Sequence, residues 1–490
     1  MNEVVLKYLK KQGYENVSTS YYKWIDLWES WWRNEVEFHK YRDDSGTERK
    51  MYTLGMAKRI AEDWSSILFT ERDEIVTEAS TEDQTNKNNE YLSKQLKLLK
   101  VYKDLPTAIE KAMATGTAGA IVRIKHAKVD KQGNLFADNR TKQDIIYMSA
   151  SQIIPLRVEH GEIIDVAFVS EDTVKDKKEY YIEIHKLIYK EKIEQEVYEI
   201  SNTYIDESGD EIQKENIAKN YTINSNTPLF SILKPAIANP INENYNIING
   251  LGFSTYGTAI SQLQVCDICY HNFAMDFYLG GKKVFYNKKI VDTKTITDKD
   301  GKERQVVVYP DDITRQQWKT YGDEMENLRQ EPAIKEYNPD LRVEEDTAGI
   351  QFALNVLAFK SGLGTGYYKF DSGRGNVITA TQYVGDRQDL ISNANKHRKN
   401  VDEFVCGIGK AILLLGRILF KEPVTEDCIV KITDKDGFMV DTETAKQEFR
   451  QDIAQGIRQP WEFRVKFFGE DKETAKKMVA DETIDNIEEE

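Results

Sequence analysis

From Thr379 to Lys421 the sequence contains no proline, and Val401, Phe404, Val405, Ile408, Ile412, Leu415 and Leu419 recur at the three- and four-residue spacing of one helix face. At 1.5 Å per residue such a helix, unbroken, is roughly 60 Å long. That exceeds the usual length of a globular helix and reads as a strut within a large assembly. Gly385, Gly407 and Gly409 are the positions at which it is expected to bend.

The rest of the chain changes period twice. Between Tyr21 and Glu110 the pattern is helical, with Trp24, Leu27, Trp28, Trp31 and Trp32 expected on one face, as a core or subunit-contact stripe rather than as base-stacking indoles. From Ala120 to about Pro235 the period becomes two, as in Tyr181-Ile182-Glu183-Ile184-His185, and this is read as antiparallel β-structure. After Asn249-Gly250-Leu251-Gly252, Ser254 is expected to cap a helix whose apolar side runs through Tyr256, Ile260, Leu263, Cys266, Tyr270, Phe273 and Phe277 to Gly280-Gly281. A lysine-rich hairpin is expected next, pairing the strand at 282–286 with that at 305–309 across the turn Asp298-Lys299-Asp300-Gly301. A shorter helix, Thr347 to Lys360, leads into the glycine-rich stretch Gly362-Leu363-Gly364-Thr365-Gly366. Mixed structure around Val430, further helical stretches and an acidic end follow. The fold class is α+β.

With 490 residues the chain is too long for a single ordinary core. Four cysteines make no disulfide framework and fit a reducing compartment. The opening residues lack the features of a secretion signal, and Lys410 and Arg417 interrupt the longest apolar run, so no membrane segment is expected. The net charge of −15 opposes tight nucleic-acid binding, which depends on lysine and arginine neutralising phosphates. It suits a conduit along which DNA slides, because such a wall offers few places for phosphates to stick.

No catalytic pattern emerges. The stretch from Gly362 to Lys369 lacks the Gly-Lys-Ser/Thr of a phosphate loop, and Tyr367 stands where a dinucleotide fingerprint needs its third glycine. Cys266 and Cys269 have no further ligands at useful spacing and read as small core hydrophobes. The six histidines are scattered, and the Asp-x-Asp-Gly segments at 298 and 434 are turns rather than complete calcium loops. No catalytic residue, cofactor or metal is expected.

Several blocks taken in order resemble the portal proteins of long-tailed bacteriophages (siphophages) infecting Gram-positive hosts, a family of head-to-tail connectors. They are Trp28-x-x-x-Trp32, Phe38-His39-x-Tyr41, Leu54-Gly55-Met56-Ala57-Lys58, and Glu62-Asp63-Trp64 with Leu68-Phe69. Further along come Gly252-Phe253-Ser254, Ala259-Ile260, Asp267, and Phe277-x-Leu279-Gly280-Gly281-Lys282-Lys283-Val284-Phe285. Gly362-Leu363, Phe370-Asp371 and Thr379-Ala380-Thr381-Gln382-Tyr383-Val384 complete the set, with Gln382 where the family usually carries an acidic residue.

The resemblance implies a ring, typically of twelve subunits, around a central channel, with wing, helical stem, clip and crown. On this chain it implies the helical part of the wing at 1–120, its β-rich part at 121–250 and a stem helix at 251–281. The clip would occupy 282–345, a second stem helix 346–361, a tunnel loop 362–378, the long wing helix 379–421, and the crown and tail 422–490. Implied partners are double-stranded DNA in the channel, a terminase that supplies force, head-tail connector or adaptor proteins, and capsid and scaffolding proteins. The implied location is one vertex of the virion, reached from the host cytoplasm during assembly. Tyr367, Tyr368, Lys369 and Arg374 are the candidates for DNA contact in the tunnel, and Lys282, Lys283, Lys288 and Lys289 for partner contact at the clip. A capsid subunit, a tail adaptor or a phage nucleic-acid enzyme are the rival readings. The long helix after a glycine-rich loop favours the portal.

Overall fold

The computed structural model describes residues 3–14, 20–42, 46–69, 74–126, 128–129, 135–174, 176–191, 194–214, 220–241, 250–280, 283–287, 293–297, 301, 303–307, 318–321, 334–369, 388–433, 442–468 and 472–479. Helices and sheets that are antiparallel except for one parallel pairing occupy largely separate stretches of chain, so the protein is α+β.

The N-terminal part contains α1 (Glu3–Lys11), α2 (Ser20–Trp32), α3 (Met56–Leu68), α4 (Glu82–Leu98) and α5 (Val101–Thr115). Short strands that helical periodicity did not anticipate interrupt it: the ribbon β1 (Lys40–Arg42) with β2 (Glu48–Lys50), and β3 (Glu74–Glu78). On α2 the buried face is Tyr21, Tyr22, Ile25, Trp28 and Trp31. Trp24 sits at the edge of that stripe and is 40% exposed, so the expected tryptophan face is narrower than the spacing suggested.

The β-rich part matches the period-two reading. Strand β4 (Ala118–Lys125) lies between β7 (Lys142–Ser149) and β14 (Phe230–Leu233) in a three-stranded antiparallel sheet, beside a small ribbon of β5 (Lys128–Val129) and β6 (Leu135–Phe136). A six-stranded sheet runs β8 (Ile153–Glu159), β9 (Glu162–Val174), β10 (Lys177–Lys190) and β11 (Gln195–Ile205). Both β12 (Glu211–Ile212) and β13 (Asn220–Ile223) pair with β11. The two sheets are joined by a buried polar cluster, in which Glu183 of β10 takes Arg123 Nε of β4 at 2.5 Å and His185 Nε2 at 2.8 Å. Burial pushes the Glu183 carboxyl up, but His185 and Arg123 outweigh it and hold the group below its usual range.

Helix α6 (Ile260–Leu279) follows a buried connector and packs against α7 (Val343–Lys360). Ser254 does not cap it. The Ser254 hydroxyl accepts from the Tyr256 amide at 3.3 Å, and a short turn, Gly257–Ala259, precedes the first α-helical residue. Between α6 and α7 the strand pairing differs from expectation. Strand β15 (Lys283–Asn287) pairs with β18 (Trp318–Tyr321) and β19 (Ile334–Tyr337), whereas β17 (Glu303–Val307) pairs with β16 (Thr293–Thr297). The observed partner of β17 is therefore the strand nearest to it in sequence, the pairing that costs least loop entropy.

The long helix is observed as α8 (Gln388–Phe420), 33 residues or about 50 Å. Its expected start at 379–387, with Gly385, lies outside the described residues. Its glycines are points of close packing within one continuous helix. A Cβ on Gly407 would lie 2.5 Å from Ser231 Oγ, on Gly409 2.9 Å from Val430 Cγ1, and on Gly416 2.6 Å from the Tyr91 ring. After it, β20 (Ile429–Thr433) pairs antiparallel with β3, so the start of the stretch assigned to the crown returns to the N-terminal part. Helices α9 (Thr442–Ala454) and α10 (Pro460–Phe468) and a helical stretch at 472–479 complete the described chain. One cluster of buried side chains runs from α1 through the sheets to α8 and β20.

Candidate functional site

Several residues of the motif blocks, far apart along the chain, meet where α6 and α7 join the body: Trp28, His39, Leu54, Asp63, Trp64, Gly252, Phe253, Asp267 and Gly362. The connector to α6 is buried throughout, from Leu251 to Tyr256. Gly252 meets Gly116 backbone to backbone: a Cβ on Gly252 would fall 2.1 Å from the Gly116 carbonyl oxygen, and Gly116 has φ +82°. Only glycine fits this approach. The Gly252 amide donates to Thr117 Oγ1 at 2.9 Å, and its carbonyl accepts from the Tyr21 hydroxyl at 2.5 Å. Thr255 donates twice to the Met113 carbonyl, at 3.0 Å from its amide and 3.1 Å from its hydroxyl. The Tyr256 hydroxyl donates to the Trp28 carbonyl at 2.8 Å, and the Trp28 and Phe253 rings meet edge to face at 5.0 Å. Burial pushes the Tyr21 and Tyr256 phenols up, so both remain protonated donors.

About two turns into α6, the Asp267 carboxylate receives His39 Nε2 at 3.0 Å on one oxygen and the Leu54 amide at 2.9 Å on the other. Both side chains are buried. Burial raises the Asp267 carboxyl above its ordinary range, against the lowering effect of these two donors. His39 also stands edge-on to Trp31 at 5.4 Å. A single carboxylate thus ties α6 to the segments before and after the β1–β2 ribbon.

The glycine-rich loop after α7 is clasped in the same way. Gly362, Gly364 and Gly366 all have positive φ, which lets the chain reverse tightly. Trp64 Nε1 donates to the Ser361 carbonyl at 3.1 Å, Asn393 Nδ2 to the Gly362 carbonyl at 3.0 Å, and Gln351 Nε2 to the Tyr368 carbonyl at 2.5 Å. The Tyr368 hydroxyl donates to Asp63 Oδ2 at 2.9 Å, while Arg59 pairs with Oδ1 at 2.8 Å. Burial raises the Asp63 carboxyl, and the bonds to Tyr368 and Arg59 pull the other way.

Among the residues singled out from sequence, Tyr367, Tyr368 and Lys369 share this loop. Both tyrosines are partly buried with their rings edge to face at 5.0 Å, and Lys369 is exposed. Tyr368 therefore spends its hydroxyl on holding the loop. Arg374 lies outside the described residues, as do Lys282, Lys288 and Lys289. Lys283 opens β15 opposite Tyr337. The roles of Asp63, Trp64, His39 and Asp267 as fasteners were not evident from sequence, although each stood in a motif block. Among the described residues no group of three or more His, Cys, Asp or Glu side chains is arranged to hold a metal, and no helix is long and apolar enough to cross a membrane.

The helix pair carries a marked imbalance. Beyond Asp267, no residue of α6 from 268 to 278 is buried, although the segment includes Ile268, Tyr270, Phe273, Met275, Phe277 and Tyr278. Phe277 is 49% exposed and Tyr278 68%, and on α7 Phe352 is 72% and Phe359 60% exposed. Arg342 holds Asp276 through both nitrogens at 2.9–3.1 Å, fixing the start of α7 to the end of α6. The pair is a braced element that leaves these large apolar side chains open to solvent.

No family model matches the sequence, and no curated protein matches it. Among solved structures, the chain is similar to one in the neck of an empty GTA particle computed with C6 symmetry, with 11% identity, coverage of 84% of this chain and 88% of that chain, and a TM-score of 0.38. A likeness at that level carries no argument about fold or function.

Proposed function

We propose that this chain is a portal protein of a tailed bacteriophage, the subunit of a ring-shaped channel at one capsid vertex through which the genome is packaged and released. The observation that carries the reading is the braced α6–α7 pair with its unburied aromatic side chains. A helix pair that exposes several large aromatic side chains in one chain is suited to being covered by neighbouring chains. In a closed ring each subunit meets the next through one repeated heterologous interface, so two flanks of the pair are covered at once. Motif residues quoted from sequence support the same reading, because His39, Leu54 and Asp267 fasten α6 to the body and Asp63 and Trp64 fasten the loop after α7.

In this reading the ring is not an enzyme. It is a passive conduit and docking platform for terminase, connector and scaffolding proteins, and a terminase supplies the force. An acidic wall keeps phosphates from lodging as the duplex moves. Labelling the chain with a gold-tagged antibody fragment in assembled particles tests this directly. Label confined to a single vertex per particle is the expected result. Label spread over the shell or along the tail would overturn the proposal.

A further inference from the structure

Where the α6 connector, the end of α7 and the start of α8 meet, the structure forms an open pocket of about 240 Å³. Among the described residues its lining includes the buried Ser254 and His397, Thr258, Asn393 and the exposed Lys360 and Lys396, and no carboxylate. In a chain with 82 acidic residues against 67 basic ones, a lining of that kind is unusual. Among the described residues neither Lys360 nor Lys396 pairs with a carboxylate, and Lys396 opens the basic run Lys396-His397-Arg398-Lys399.

The neutral donors are set as well. His397 Nδ1 accepts from the Ala236 amide at 2.9 Å, which places the imidazole proton on Nε2. Burial first, and then Lys396, lower its pKa to about 4, so near neutral pH the ring is an uncharged donor. Ser254 Oγ accepts from the Tyr256 amide, leaving its own proton to give.

We infer that this pocket binds a phosphate-type oxyanion. Its two ammonium groups act as compact point charges, and its hydroxyl and imidazole donors suit a small, multiply accepting anion. The volume admits one such group and excludes a drug-sized ligand. The ion could be free phosphate or a phosphate of a nucleic-acid backbone, and the inference stands apart from ring assembly.

Titration calorimetry of the full chain with inorganic phosphate, at constant ionic strength and with chloride as control, tests it. Saturable phosphate binding is expected, weakened about tenfold or more by Lys360→Gln or by Lys396→Gln and retained by the corresponding arginine variants. Addition of a short DNA duplex then separates the sources: displacement of phosphate assigns the site to backbone phosphates, and its failure assigns it to a small phosphate. Absence of saturable binding beyond the chloride control, or affinity unchanged in the double glutamine variant, would overturn the inference. Either result leaves the oligomeric state unaffected, so it is distinguishable from failure of the portal reading.

Discussion

Replacing Asp267 by alanine should damage the junction of α6 with the body far more than replacing it by asparagine. Alanine leaves two buried donors without their acceptor: His39 Nε2, now 3.0 Å from the carboxylate, and the Leu54 amide at 2.9 Å. His39 is completely buried, and its Nδ1 already lacks a partner among the described residues, so no other bond compensates. Removing one member of such a buried pair costs roughly 3–5 kcal/mol. Asparagine keeps an oxygen for the Leu54 amide, and its amide group can meet a His39 ring that has changed tautomer. It also relieves the desolvation that raises the Asp267 carboxyl, so its cost should be about 1 kcal/mol. Urea denaturation followed by tryptophan fluorescence, with a common slope across variants, measures both. Alanine within about 0.5 kcal/mol of the parent, or asparagine as costly as alanine, would refute the reasoning.

Three further outcomes follow from the same geometry. Gly252→Ala places a Cβ 2.1 Å from the Gly116 carbonyl, and the forced backbone shift should lower stability by about 1–3 kcal/mol in the same denaturation assay. His397 is held neutral in the folded chain, with its pKa moved from 6.5 to about 4. Below pH 6.5 the unfolded chain therefore gains a proton that the folded chain does not, and this contribution, full above pH 6.5, falls by up to about 3 kcal/mol as pH drops towards 4. His397→Gln should flatten that part of the stability profile measured by denaturation across pH. Phe277→Ser with Phe352→Ser should leave the single chain folded by circular dichroism and yet abolish or sharply weaken its self-association in sedimentation velocity, because both rings are exposed in the isolated chain.

Periodicity carried much of the architecture. The β-rich stretch and the apolar face of α8 could be read from residue spacing, because burial of one face imposes it, whereas Tyr270, Phe273 and Phe277 of α6 keep the spacing without being buried. What spacing could not supply was partnership. Strand β17 reads the same whether it pairs with β15 or with β16, and only the shorter loop decides. Gly407 and Gly409 look like bend points on paper, but Ser231 and Val430 fill the space above them. Asp63 was legible as part of a block beside Trp64. Its bond to Tyr368, 305 residues away, belongs to the tertiary structure alone.

The central claim is that the exposed apolar pair α6–α7 is covered by neighbouring copies in a closed ring. Native mass measurement of the purified chain, paired with negative-stain images and made without DNA or nucleotide, tests it most directly. The account predicts a discrete ring of about a dozen copies with a central hole. A stable monomer or an open filament at every salt concentration would contradict it.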